Sequence, residues 1–230
     1  HETTSVEIYN IGANQWREGV AVPSEINHGS AISYNGSIYV IGGRNSSGIQ
    51  TSNVLKFDSI TNGWITKSSM PTARHGLNLL IFEEKIWAIG GFINQSTVTN
   101  IVEVYDPIND SWETVEPLPS SIAWSASWVH ENYLYVAGGR SHSVTLDKIY
   151  QYNSQTNEWK DVGSLPTVKS YAGFGISNNR IHILCGSGYS NRVFAADLPA
   201  PAMNLYFKEG NATAEAELST LGMADGSVSL

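Results

Sequence analysis

Ile86-Trp87-Ala88-Ile89-Gly90-Gly91, then Val102-Glu103-Val104-Tyr105-Asp106, then Trp112, are three pieces of one pattern. An apolar run stops at a glycine doublet, a second run closes on Tyr-Asp, and a tryptophan stands six residues past the aspartate. An apolar run of this length suits a strand covered on both faces. Moving outward, the pattern returns. Trp stands at 16, 64, 112 and 159, spaced 48, 48 and 47 apart. Seven residues before each Trp is an aromatic (Tyr9, Phe57, Tyr105, Tyr152), and seven after is a proline (Pro23, Pro71, Pro119, Pro166). Doublets fall at Gly42-Gly43, Gly90-Gly91 and Gly138-Gly139, with a worn copy at Cys185-Gly186. Several features in one phase at one period identify an internal repeat.

Each unit reads as four short strands. In the first full copy Ser30 to Tyr34 precedes Asn35-Gly36, a strong hairpin signal, and Ile38 to Ile41 runs into the doublet. Asn53 to Asp58 and Gly63 to Thr66 supply the third and fourth strands. Helical periodicity is absent from the repeats. The expected organisation is a partial blade at 1–27, blades at 28–74, 75–122 and 123–169, a degenerate blade at 170–197, and a linker with the start of a tail at 198–230. The repeat begins on strands three and four (Val6 to Asn10, then Trp16), and the last copy offers three strands without a Trp. An arc of a larger ring is therefore expected ahead of a small ring closed by the two partial blades.

Composition narrows the functional classes. Charged residues make up 15%, with 7 Trp and 11 Tyr, which suits short strands packed by aromatics. Net charge is −8, from 13 basic and 21 acidic side chains, and disfavours nucleic acid. Cys185 is alone, which excludes an internal disulfide and a thiolate metal cluster; in an apolar run it reads as a small buried hydrophobe. No apolar stretch reaches the roughly 18 residues of a membrane span. Sequons at Asn35, Asn45, Asn94, Asn109 and Asn211 prove no secretion in so Asn- and Ser-rich a chain. Location stays open, with an extracellular or cell-surface setting ahead of the cytoplasm.

The pattern resembles the Kelch family over roughly residues 5 to 197: Gly90-Gly91, Tyr105-Asp106 and Trp112 match its motif, with Phe57-Asp58 and Tyr152-Asn153 as near variants. The resemblance implies an all-β Kelch-type β-propeller in which each repeat is one blade. It also implies that the loops after the doublets and those linking successive blades emerge together, as a binding face. On those loops the candidate ligand-binding residues are Arg44, Asn45, Arg74, His75, Trp124, Arg140, His142 and Tyr171. Gly43-Arg44-Asn45 and Gly139-Arg140-Ser141 resemble, in location, the places where Kelch substrate adaptors of ubiquitin ligases take acidic peptides. His28 and His75, each followed by glycine, read as equivalent positions; Trp124 and Tyr171 take that place in the next two copies, which argues against a His metal pair.

The expected function is a non-catalytic module that binds a protein or glycan, with no cofactor and no metal. A copper oxidase of the galactose oxidase kind needs a Cys-linked Tyr, which Cys185 at a doublet position does not supply. An isomerase resembling the Kelch-type sialic-acid mutarotases is the enzymatic alternative, drawing on Arg44, Arg74, Arg140, Glu25 and the histidines. A structural spacer in a surface protein is a third.

Overall fold

The computed structural model describes residues 4–184, 186–187, 192–198 and 208–211, and among them every element is a strand. The chain divides into two compact units, His1–Val115 and Glu116–Leu230.

The first unit opens with a hairpin, β1 (Glu7–Asn10) and β2 (Gln15–Glu18). Two four-stranded antiparallel sheets follow. One is β3 (Ser30–Tyr34), β4 (Ser37–Ile41), β5 (Val54–Asp58) and β6 (Gly63–Lys67); the other is β7 (Asn78–Phe82), β8 (Lys85–Ile89), β9 (Val102–Asp106) and β10 (Ser111–Val115). Within each, neighbours in sequence are neighbours in the sheet. Asn35 and Gly36 both have positive φ, 46° and 72°, the conformation that a two-residue hairpin matched to strand twist requires. Tyr39, Ile41, Val54, Met70, Ile86 and Tyr105 pack into one core cluster of this unit.

The second unit repeats the plan. β11 (Ala126–His130), β12 (Tyr133–Ala137), β15 (Lys148–Asn153) and β16 (Glu158–Ser164) form one sheet, with the small hairpin β13 (Arg140–Ser141) and β14 (Val144–Thr145) projecting between β12 and β15. The last sheet is β17 (Gly173–Ser177), β18 (Arg180–Leu184), β19 (Arg192–Asp197) and β20 (Lys208–Asn211). The sequence offers three strands in this copy; the structure pairs a fourth, β20, along β19, from the stretch read as linker and tail. No Trp, doublet or Tyr-Asp pair marks β20, so its pairing had no signal. Cys185 and the remainder of the tail lie outside the described residues.

The motif residues have a clear packing role. Seven residues separate aromatic and Trp because the two are partners across the third and fourth strands: Phe57 with Trp64, Tyr105 with Trp112, Tyr152 with Trp159. Their ring centroids lie 5.2, 5.1 and 5.1 Å apart. Each indole N–H then donates to a backbone carbonyl of the preceding repeat, Trp64 to Val20 at 2.8 Å, Trp112 to Ser68 at 2.8 Å, and Trp159 to Glu116 at 3.0 Å. The doublet allows a close crossing. A Cβ on Gly42 would stand 2.5 Å from the Arg74 carbonyl oxygen, and one on Gly138 2.6 Å from that of Lys169. The segment leading into the next blade occupies that space, and only glycine leaves it open.

Candidate ligand-binding loops

The loops after the doublets and the segments entering each first strand leave the same end of their sheets, and backbone bridges stitch them together. Asn27 pairs with Arg44, His75 with Phe92, Ala123 with Arg140 and Ser170 with Ser187. These bridges define true equivalence between copies, and they correct one sequence alignment. His28 is not the counterpart of His75. His28, Gly76, Trp124 and Tyr171 share the next position, all with positive φ (53°, 62°, 52° and 58°), whereas His75 matches Asn27. The His-Gly pair in two linkers invited a slip of one residue, and in an extended segment one residue turns the side chain to the other face.

In the first unit the candidates separate by depth. Arg74 is fully buried and belongs to the scaffold. Its guanidinium pairs with Glu103 at 2.8 Å and donates to the carbonyls of Gly90 and Ile101 at 2.8 and 2.9 Å, while Thr72 holds the other Glu103 oxygen at 2.7 Å. A buried guanidinium needs this set of acceptors. Burial lowers its pKa, and Glu103 opposes that shift. The ligand role read for Arg74 from sequence therefore has no exposed group to carry it. His75 is buried as well, stacked on Phe92 at 5.0 Å and edge-on to His28 at 5.9 Å. Burial first, then the Arg44 and His28 charges, lowers its pKa to about 4, so the ring is neutral near pH 7.

Arg44 reaches the surface, half-buried, with its Nε donating to Asn27 Oδ1 at 3.2 Å and a terminal nitrogen 3.1 Å from His28 Nδ1. Asn45 shapes its own loop. Its Oδ1 accepts the amides of Ser47 and Ile49, each at 3.0 Å.

The second unit brings the remaining candidates together. Trp124 and Tyr171 stack with centroids 4.4 Å apart and planes 26° from parallel, tied by the Tyr171 amide donating to the Trp124 carbonyl at 2.9 Å. Tyr171 is 51% exposed. Arg140 donates from Nε to the His142 carbonyl at 2.7 Å and stands beside the Tyr171 hydroxyl. Burial raises the pKa of that hydroxyl, and the guanidinium pulls it back. His142 lies exposed at the tip of the β13–β14 hairpin. Two residues that sequence reasoning passed over join this end, Val144 and Val168, which are 59% and 41% exposed. Their positions, in a post-doublet loop and an inter-blade segment, were the available signal; chemically they look like any valine. Of the last post-doublet loop Ser187 is described, its hydroxyl 2.5 Å from that of Ser170, while Gly188 and Tyr189 lie outside the described residues.

For Trp and Tyr, a left-handed backbone costs on the order of 1–2 kcal/mol each. The second copy meets the same need with Gly76. The model of the KLHDC2/KLHL20/DRC7 Kelch-repeats domain matches residues 2–192. The chain belongs to the Kelch-repeat family. Among Kelch relatives, it is 28% identical over 201 residues to Kelch-like protein terF of Aspergillus terreus, covering 83% of this chain and 34% of that protein. It is 29% identical over 212 residues to alpha-scruin of Limulus polyphemus, covering 90% of this chain and 18% of that one. With Kelch-like protein 35 of Mus musculus the identity is 26% over 182 residues, or 79% and 22% of the two chains. The chain thus spans about a third or less of these relatives. The solved structure of YjhT superposes with a TM-score of 0.76 at 17% identity, over 89% of this chain and 75% of that one, a likeness of fold.

Proposed function

We propose that this Kelch chain is a non-catalytic binding module that takes a protein partner on the loop end of its blades. What carries the reading is the loop end of the second unit, where the half-buried Trp124 stacks on the exposed Tyr171 with Arg140 beside its hydroxyl, and where Val144 and Val168 are exposed on neighbouring segments. Trp, Tyr and Arg are the residues in which protein-binding hot spots are enriched, and here one of each stands together. The rigid sheets below supply the preorganisation that such a surface needs. Arg44 offers a second, polar contact on the loop end of the first unit.

The test is selection of a random-peptide phage library on the immobilised full chain, followed by binding of the enriched peptides to variants. Arg140→Ala and Arg44→Ala should keep the melting temperature within about 2 °C, because neither guanidinium is fully buried. At least one should weaken the selected peptides about tenfold, and Lys85→Ala, at the opposite end of its sheet, should not. Peptides indifferent to every loop-end substitution would refute the loop end as the binding face.

A further inference from the structure

Trp124 and Tyr171 hold a backbone conformation that glycine adopts freely and ring-bearing residues avoid, and Gly76 occupies the equivalent place in the second copy. Gly76 shows that the fold closes here without a ring, and in the first copy the His28 ring turns edge-on to His75. Core packing asks for no ring either, since Tyr171 is half in solvent and Trp124 is half-buried. Strain retained at an exposed position points to use at that position.

We propose that the Trp124–Tyr171 stack is a ring-accepting platform: an aromatic side chain of the partner lies on the open face of Tyr171, and an acidic side chain beside it in sequence meets Arg140. The inference rests on the reading that the loop end binds a protein, and it names the chemistry of that protein. The two rings are already near parallel at 4.4 Å, so a third ring extends an existing stack at little cost in order. Backbone bonds hold the neighbouring segments in place: Ala123 bridges Arg140, Ser141 pairs with Val144, and the Lys169 amide donates to the Leu146 carbonyl at 3.0 Å. Val144 and Val168, both exposed, supply apolar surface on these same segments. The charge at this end favours an acid. Arg140 gives Nε to the His142 carbonyl and also hydrogen-bonds the Tyr171 hydroxyl, which fixes its positive charge at the rim of the stack, whereas Lys169 is buried with its ammonium 5.2 Å from the Phe194 ring centroid.

The experiment uses the peptides enriched on the full chain by the selection above. They should carry Phe, Tyr or Trp next to Asp or Glu. Tyr171→Phe keeps the ring and should hold affinity within about twofold, while Tyr171→Gly should lower it about tenfold or more, as should replacing the peptide's aromatic with Leu. Tyr171→Gly relaxes the backbone, so a melting temperature near the parent's will accompany the loss. Peptides that lose binding with Arg140→Ala but show no aromatic preference, or that bind Tyr171→Gly unchanged, overturn the platform and leave the loop-end reading standing. Peptides indifferent to all loop-end variants overturn that reading itself, and failure to enrich any peptide counts against the platform.

Discussion

Arg74, His75 and Tyr171 sit within one or two residues of the same bridge in their respective copies, yet their fates differ entirely. One side chain is spent inside a blade, one is wedged under the loop, and one faces solvent. Burial decides what each can do. His75 illustrates the consequence for stability. Its imidazole titrates near 6.5 in an unfolded chain and at about 4 in the fold, so falling pH protonates the unfolded chain first. The stability that His75 contributes is complete above pH 6.5 and drains away as the pH falls from there through 4, by about 3 kcal/mol at most. His75→Asn, the residue that Asn27 supplies in the first copy, should flatten that part of the curve. Urea unfolding between pH 7 and 4 is the check, and parallel curves for parent and variant would remove His75 from the account.

Each strand pair carries its own fastening. The turn between third and fourth strands is closed by its first acid: Asp106 Oδ1 accepts the Ile108 and Asn109 amides at 2.8 and 3.1 Å, and Asp58 accepts that of Ile60 at 2.8 Å. Asp110 then links blades. It accepts the Tyr105 hydroxyl at 2.5 Å, the Ser68 amide at 2.9 Å and Lys67 at 3.0 Å. Burial works to raise its pKa, but these donors outweigh it and leave the carboxyl at about 2. The fourth-strand Trp adds the carbonyl bond to the preceding repeat. Trp112→Phe, which keeps a ring and loses the N–H, should cost about 1 kcal/mol. Trp112→Ala should cost about 3 kcal/mol or more, because it also vacates the contact with Tyr105. Thermal melts rank the two variants; a Trp112→Phe melt equal to the parent's would mean that the carbonyl bond contributes nothing, and equal losses in both variants that the ring contact does not.

At the scale of the whole molecule, every sheet among the described residues is built from strands consecutive in sequence, with only the small β13–β14 hairpin interposed, so its pairing is local while the Trp and Asp110 bonds tie it to its neighbour. Burial is uneven among them. β8, β9 and β12 are buried along nearly their whole length, while all of β2 and most of β1 are exposed, Trp16 at 68%. Amide hydrogen exchange followed by mass spectrometry should find β1–β2 exchanging at least about tenfold faster than β8, β9 and β12. Uniform protection would show instead that the molecule opens only as a whole.

The periodic residues by themselves determined the repeat, the four-stranded unit and the Kelch motif, because Gly-Gly, Tyr-Asp and Trp each answer a local demand that returns every 47 or 48 residues. A crossing backbone at 2.5 Å excludes any Cβ, and a seven-residue spacing puts Tyr opposite Trp across a hairpin, wherever the copy stands. The loop positions of Arg44, Arg140, Trp124 and Tyr171 were legible for the same reason. Tertiary structure alone decided which candidates face outward. Arg74 and Arg140 read alike as loop arginines, but the direction of a side chain in an extended segment alternates with each residue, and the bridges set that alternation. β20 likewise found its place through the open edge of β19, since a strand with no motif of its own is positioned by the neighbour that needs its hydrogen bonds.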